Sequence, residues 1–425
     1  MAKIYRLKKQ LATGEGEAAP PPVETYQAPP PPAKGRIIGL DCHPDIHAAA
    51  VFRGQSVHDA QKLAVRENLT LDALLHWVAK EFTRDDLFLL EASANSFEIH
   101  GRLLALGMRA VVMESAYVAK HAKTYADNDK MAAARIALVY LGGPAPCVWV
   151  PDARTRERRE LLHAHRNAVD AHTAAVNSIK GYLNQFAVRP GSRGLHLERT
   201  REWILAARPW TSLQRELLDC CFANLDAQRQ RRDKLVLLIN REICKEPLML
   251  RCMKLLGIGT VNAFALLAVI GEVRRFERPE KLVAYLGLNP GQRESGRGKR
   301  IKIGVGNRGR GDMRHLLVQS AQAVLRCGAK TPLGTWGWKL FARKGNRNTA
   351  VAAIARKLTV QVWHLLIGNP PEALEGNKTL VLKFQRLAAS LGKALRADLG
   401  LPEKPVDCVA VLLARISAPL STACT

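Results

Sequence analysis

Arg36-Ile-Ile-Gly-Leu-Asp41 and Leu87-Phe-Leu-Leu-Glu91 are two short apolar runs, each closed by an acid. Runs of this length, rich in Ile and Leu and bounded by polar residues, read as strands buried on both faces. His47-Ala-Ala-Ala-Val-Phe52 follows the first run after a turn and reads as its hairpin partner, and Arg109-Ala-Val-Val112 supplies a further strand. Helical stretches over 70–80, with Thr70 as N-cap, and over 97–106 lie between these strands. Strands alternating with helices predict an α/β sheet covered on both faces. Ligands in such sheets gather at the carboxyl ends of strands, where Asp41 and Glu91 stand.

Two-metal phosphodiester chemistry requires carboxylates converging from strand ends and from an i, i+3 pair on one helical face. Asn128-Asp-Lys-Met-Ala-Ala-Ala-Arg-Ile-Ala137 is the helix that fits, with Asp129 as the first member, but the second position is Ala132. Asp127 lies about 200° from Asp129 around a helix, so it replaces the missing acid only where the backbone is not yet helical. Asp41, Glu91 and Asp129 are therefore the candidate catalytic acids and Mg2+ ligands. Cys42-His43 is the nearest approach to a Cys/His ligand pair; a second pair at metal spacing is missing, and it reads as structural. The nine cysteines are scattered and odd in number, which fits reduced thiols in a cytosol and argues against a disulfide framework.

The net charge of +26, from 64 Lys and Arg against 38 Asp and Glu, points to a polyanionic partner. Residues 270 to 360 carry 20 Lys and Arg against 5 Asp and Glu, which concentrates the charge in one region. Phosphate contacts there predict salt-sensitive binding. No run of about eighteen apolar residues exists, which excludes a spanning helix, and the N-terminus has too short an apolar core for a secretory signal.

Within the basic region, Gly287-Leu-Asn-Pro-Gly-Gln-Arg-Glu-Ser-Gly-Arg-Gly-Lys-Arg300 sets one hydroxyl, Ser295, among Arg293, Arg297, Lys299 and Arg300. A serine among cations is a candidate nucleophile toward a phosphodiester. Lys302, Arg308, Arg310, Arg314, Arg356 and Lys357 extend the set of candidate nucleic-acid contacts. Leu255-Leu-Gly-Ile-Gly-Thr-Val-Asn262 places Gly257 and Gly259 between two apolar helical stretches, as in a helix-hairpin-helix, where backbone N–H groups at a helix start can take a phosphate. Further helices are expected over 314–325 and 349–363.

The organisation expected is a Pro-rich disordered tail over 1–35, an α/β domain over 36–151, a helical arm over 152–247, a mainly helical domain over 248–368 and an extension over 369–425 to which no chemistry is assigned. The arm is expected to form a coiled coil. Leu162, Val169, Val176 and Leu183 recur at intervals of seven, and Leu218, Leu225, Leu235 and Ile239 follow a break at Arg189-Pro-Gly-Ser-Arg193. That seam serves intramolecular packing or subunit association.

Taken in order, Asp41, Leu90-Glu-Ala-Ser93, Asn128 to Ala137, Gly257-Ile-Gly259, Phe276 leading to Leu286-Gly-Leu-Asn-Pro290, Ser295-Gly296 and Ala353-Ile-Ala-Arg-Lys-Leu358 resemble the insertion-sequence 110 family of transposases, including its 1111 subgroup. The resemblance spans roughly residues 36 to 366. It implies a RuvC-like N-terminal domain of RNase H fold with an Asp-Glu-Asp-Asp metal site, a coiled-coil arm and a C-terminal transposase domain with a serine nucleophile. It further implies a cytoplasmic bacterial recombinase, nucleoid-associated when acting. Such enzymes are tetramers that cut and rejoin double-stranded donor and target DNA, guided by a noncoding bridge RNA. By that resemblance Asp41, Glu91 and Asp129 match three Mg2+ ligands and Ser295 the nucleophile. The fourth acid is replaced by Ala132, which predicts impaired activity, and Asn307-Arg-Gly309 ahead of Met313-Arg314 departs from the family's Lys-x-Gly ahead of Leu-Arg. Two other readings stay open: a RuvC-like Mg-dependent nuclease, junction resolvase or DNA invertase without RNA guidance, and a nucleic-acid-binding protein without catalysis.

Overall fold

The computed structural model describes residues 28–120, 129–293, 301–305, 309–327, 331–369 and 377–417. They fall into two compact units, divided at Pro151 and Asp152. The architecture is mixed α/β and mostly helical.

The first unit is built on five strands: β1 (Ile37–Cys42), β2 (His47–Arg53), β3 (Gln61–Leu69), β4 (Leu87–Glu91) and β5 (Arg109–Met113). Their order is β3-β2-β1-β4-β5. β2 runs antiparallel to β1 and β3, while β1, β4 and β5 are parallel. β3 was not among the expected strands: its residues are largely polar and its faces exposed, as an edge strand tolerates. The first helix, α1 (Leu71–Glu81), begins where expected, with the Thr70 side chain accepting from the Ala73 N–H. It is followed by α2 (Ser96–Ala105), α3 (Ser115–Lys120) and α4 (Asp129–Leu141).

Strand alternation sorts the core into two layers. Ile38, Leu40, Phe88 and Leu90 pack with Leu74 and Val78 of α1 and Ile99 and Leu103 of α2. Ile37, Leu87 and Leu89 pack on the other face with Ala133, Ile136 and Ala137 of α4. The order expected from residue 36 in fact starts by Ala28. The Ala28 N–H donates to the Ala145 carbonyl, Tyr140 Oη to the Pro29 carbonyl at 2.6 Å and Gln55 to the Pro32 carbonyl. Proline carbonyls remain good acceptors, so a Pro-rich stretch can be tied down without apolar side chains of its own.

The second unit opens with α5 (Ala153–Asn184), α6 (Glu198–Ala206) and α7 (Ser212–Lys245), of which α5 and α7 pack along each other. Asp152 caps α5, and a reciprocal capping box between Thr211 and Gln214 starts α7. The seam of α5 differs from the expected heptads. Arg158, His165, Ala168, Ala175, Ile179 and Leu183 are buried, whereas Leu162, Val169 and Val176 are only half-buried. Small alanines let the two helices approach closely, so the contact line passes beside the larger apolar residues. On α7 Leu218, Leu225 and Ile239 are buried as expected, and Leu235 is half-buried.

The remaining elements are α8 (Pro247–Cys252), α9 (Thr260–Ile270), α10 (Pro279–Tyr285), β6 (Pro290–Arg293), β7 (Ile301–Val305), α11 (Gly311–Cys327), α12 (Pro332–Lys344), α13 (Arg347–Leu366), α14 (Asn377–Ser390), α15 (Gly392–Asp398) and α16 (Cys408–Ser417). One core joins the base of α7 (Ile239, Ile243), the apolar run Ala263 to Ile270 of α9 and the C-terminal helices (Phe384, Leu387, Leu412). The stretch after 368 is therefore not an appendage. Lys383 Nζ donates to the carbonyls of Met253 and Leu255, and Arg415 donates to that of Cys244. No helix among the described residues is long and apolar enough to cross a membrane.

Candidate metal centre and basic hairpin

In the first unit the site is set by where α4 crosses β1. A Cβ on Gly39 would collide with the Ala133 carbonyl, so glycine allows the helix to lie directly on the strand. Two residues further along the same face of β1 is Asp41, and one turn back along α4 is Asp129. Helix α4 is held in this register by an ion pair of Lys130 with Glu67 at 2.6 Å and by the Tyr140–Pro29 hydrogen bond.

The acids are joined by a residue that the sequence reading set aside. His43 Nε2 lies 3.3 Å from Asp41 Oδ2 and 3.4 Å from Asp129 Oδ1. The ligand atoms of Asp41, His43 and Asp129 all lie within 4.8 Å of one another. His43 is aimed by its loop: its N–H donates to the Ile46 carbonyl and its own carbonyl accepts from Asn95 Nδ2 at 2.7 Å. The signal available in the sequence was its place two residues after the strand-end acid. Cys42 keeps the structural role expected of it. Burial, aided by the Asp41 charge, pushes its thiol up to about 12, which leaves it neutral and inert.

Glu91 stands at the strand step equivalent to Asp41, because Leu40 pairs with Leu90 in the parallel β1–β4 register. It is not part of the three-residue cluster. Ala132, at the expected fourth position, is half-buried on α4. Asp127 lies outside the described residues.

Two carboxylates and an imidazole fit a divalent cation. Carboxylate oxygens suit Mg2+ and Mn2+, and the imidazole nitrogen tilts the set toward Mn2+. Asp129 and His43 are about half exposed and Asp41 less so, which leaves room for water or a substrate oxygen beside them.

In the second unit the expected basic loop is partly a hairpin. β6 and β7 pair antiparallel, with Arg293 opposite Ile301 and Gln292 opposite Lys302. Ser295, Arg297, Lys299, Arg300 and Arg308 lie outside the described residues, and for Arg293 and Lys302 only the backbone is described. Arg310 is bound to Asp312 by two hydrogen bonds of 3.0 and 2.7 Å, and Arg314 donates to the Gly287 carbonyl. These two predicted phosphate ligands therefore also brace the hairpin's base. Arg356 and Lys357 are exposed on α13.

The two glycines of the 255–265 turn separate in role. Gly257 has φ +80, and a Cβ there would meet the Ser320 carbonyl, so it is required for packing. Gly259 is the N-cap of α9 and has open space around it, with no side-chain cap on the helix. Of the two, Gly259 has the surroundings that an approaching phosphate requires.

Comparison with known proteins places one match within the second unit. Residues 250–333 match the family described as "Transposase IS116/IS110/IS902 family". The chain is 24% identical over 285 residues to the transposase for insertion sequence element IS1111A of Coxiella burnetii, a match covering 65% of this chain and 76% of that protein. It is 27% identical over 255 residues to a probable family 20 transposase of Pseudomonas aeruginosa, covering 57% and 74% respectively. A putative transposase of Sinorhizobium fredii is 24% identical over 304 residues, covering 65% and 74%. Residues 250–333, with the β6–β7 hairpin inside them, are thus the stretch that is similar to this transposase family.

Proposed function

We propose that the chain is the transposase of a mobile element, a recombinase that cuts and rejoins double-stranded DNA through a phosphoserine at Ser295. The observation that carries this reading is the convergence of Asp41, His43 and Asp129 in a chain whose residues 250–333 match a transposase family. The five-stranded mixed sheet with acids at its carboxyl edge supports a RuvC-like first domain. The open N-terminus of α9 supports a helix-hairpin-helix role in the second.

In this reading Asp41, Glu91, Asp129 and His43 hold divalent metal, Mg2+ being the expected ion. When bound, the metal supplies charge neutralisation and a lowered hydroxyl pKa. The chain's own residues do the rest. Ser295 Oγ forms a new bond to phosphorus while one deoxyribose oxygen leaves and takes a proton. Attack by a second strand's hydroxyl reverses the step, joins the strands and frees the serine. Arg293, Arg297, Lys299 and Arg300 stabilise charge on the attacked phosphate. A noncoding bridge RNA selects donor and target, the protein acts as a tetramer, and it works in the bacterial cytoplasm at the nucleoid.

Purified protein, its copurifying RNA and donor and target DNA, incubated with Mg2+ and digested, should yield a DNA-linked peptide containing Ser295. Strand cleavage that persists in Ser295→Ala would instead identify a hydrolytic nuclease without a covalent step.

A further inference from the structure

From Met313 to Pro371 the chain holds nine Lys and Arg and not one Asp or Glu. Two helices of this stretch pack through a narrow line. Gly334, Gly337 and Leu340 form the buried stripe of α12, and a Cβ at Gly337 would collide with the Ile354 side chain of α13. Trp336 and Trp338 flank that stripe. Trp336 lies under the Lys357 ammonium, 4.2 Å from the ring centroid. Trp338 is 47% exposed although the largest aromatic side chain is normally well covered.

Trp338 is not loose. Its Nε1 donates to the Leu325 carbonyl at 2.7 Å, and the edge of Phe341 meets it with centroids 5.6 Å apart. The indole is thus fixed by its polar edge and one neighbour while much of its surface meets solvent. Lys339 and Arg343, one helical turn apart, form a row about 100–140° around α12 from Trp338, and Lys344 and Arg347 follow; all four are exposed. None of the four makes an ion pair among the described residues.

A rigid exposed ring on the same helix as cations that make no ion pair among the described residues matches an unpaired base with its flanking phosphates. A duplex offers the phosphates but keeps its bases stacked. A second copy docked with this same face would set its Lys339 and Arg343 against those of the first. A lipid surface needs a broad apolar patch, and Trp338 is the only strongly exposed large apolar residue on α12. Folded RNA presents unpaired loop bases for stacking on aromatic side chains. We propose that the α12–α13 face binds a loop of a folded RNA, with one unpaired base stacked on Trp338 and the adjoining phosphates on Lys339 and Arg343. This assignment rests on the reading that an RNA accompanies the protein, and it names a contact within that reading.

The test measures binding of full-length protein to a fluorescein-labelled RNA hairpin with an all-adenosine loop. The DNA hairpin of the same sequence, a blunt RNA duplex and phosphatidylserine vesicles serve as comparisons. Trp338→Ala should weaken RNA-hairpin binding about tenfold and leave duplex binding nearly unchanged, with only a small fall in Tm from the lost Leu325 and Phe341 contacts. Trp338→Phe, which keeps an aromatic face, should restore most of the affinity. Lys339→Glu with Arg343→Glu should weaken binding and flatten its salt dependence. RNA binding that is unaffected by Trp338→Ala and Lys339→Glu/Arg343→Glu overturns the surface while leaving an RNA partner intact. No RNA binding by the unaltered protein overturns both. Dependence on Trp338 that appears only with the DNA hairpin, or only with vesicles, overturns RNA as the occupant.

Discussion

Gly39 and Ala133 touch backbone to backbone, the missing Cβ of the one making room for the carbonyl of the other. This contact brings Asp129 over Asp41, so a glycine with no chemistry of its own sets the geometry of the acidic cluster. Gly39→Ala should push α4 off the sheet. The expected loss is about 1–3 kcal/mol of stability, as for overpacking, together with weaker divalent-cation binding. Urea unfolding and Mn2+ titration measure the two effects, and a variant as stable as the original would show that α4 does not depend on this approach.

His43 should act as a ligand equal to the acids. His43→Ala is expected to weaken Mn2+ binding at least about tenfold without altering the urea midpoint, since the side chain is about half exposed. Isothermal titration with Mn2+ reads this directly, and unchanged affinity would return His43 to a purely local role.

Ala132 occupies the helical step i+3 from Asp129. Ala132→Asp should supply the missing carboxylate and raise strand-transfer rate at limiting Mg2+, with fold and nucleic-acid binding unchanged. Equal rates across a Mg2+ series would mean that the existing residues already complete the site.

Gly257 and Gly259 should respond oppositely to the same change. Gly257→Ala combines positive φ with a backbone collision and should cost about 2 kcal/mol or more. Gly259→Ala meets no neighbour and should leave Tm nearly unchanged while weakening duplex binding several-fold. Thermal melts and DNA titration separate the two, and duplex affinity untouched by Gly259→Ala would remove the α9 N-terminus from the interface.

Asp86 anchors the start of β4 to the start of β1. It accepts from the Arg36 backbone N–H, from Arg36 Nε and Nη2 and from the Thr83 N–H. Burial pushes its carboxyl up, but these donors outweigh that and hold it below the ordinary value of 3.8. The folded state thus binds fewer protons than the unfolded one near this pH. The stabilisation is present above about pH 4 and is lost as pH falls through the folded value. Asp86→Ala should cost about 2–3 kcal/mol at neutral pH and reduce the acid dependence of Tm. Parallel melting curves for the two proteins below pH 4 would contradict this linkage.

The elements legible in the sequence are those with strong local signals. The runs 37–41 and 87–91 are apolar and short, and Thr70 and Asp152 carry the side chains that helix starts demand. Strand β3 was hidden because an edge strand exposed on both faces shows no apolar alternation. The seam of α5 was misplaced because alanine carries little weight in a hydrophobic repeat yet marks where helices come closest. The motifs from Gly257 to Ser295 lie inside the stretch that matches the family, residues 250–333.

Chain order alone determined that Asp41 and Glu91 each close an apolar strand and that Asp129 begins a helix, since local periodicity and capping act over a few residues. Only the tertiary structure decided that His43 stands between Asp41 and Asp129. That juxtaposition depends on α4 settling against Gly39, a contact between residues 94 positions apart whose energy comes from packing rather than from any local preference.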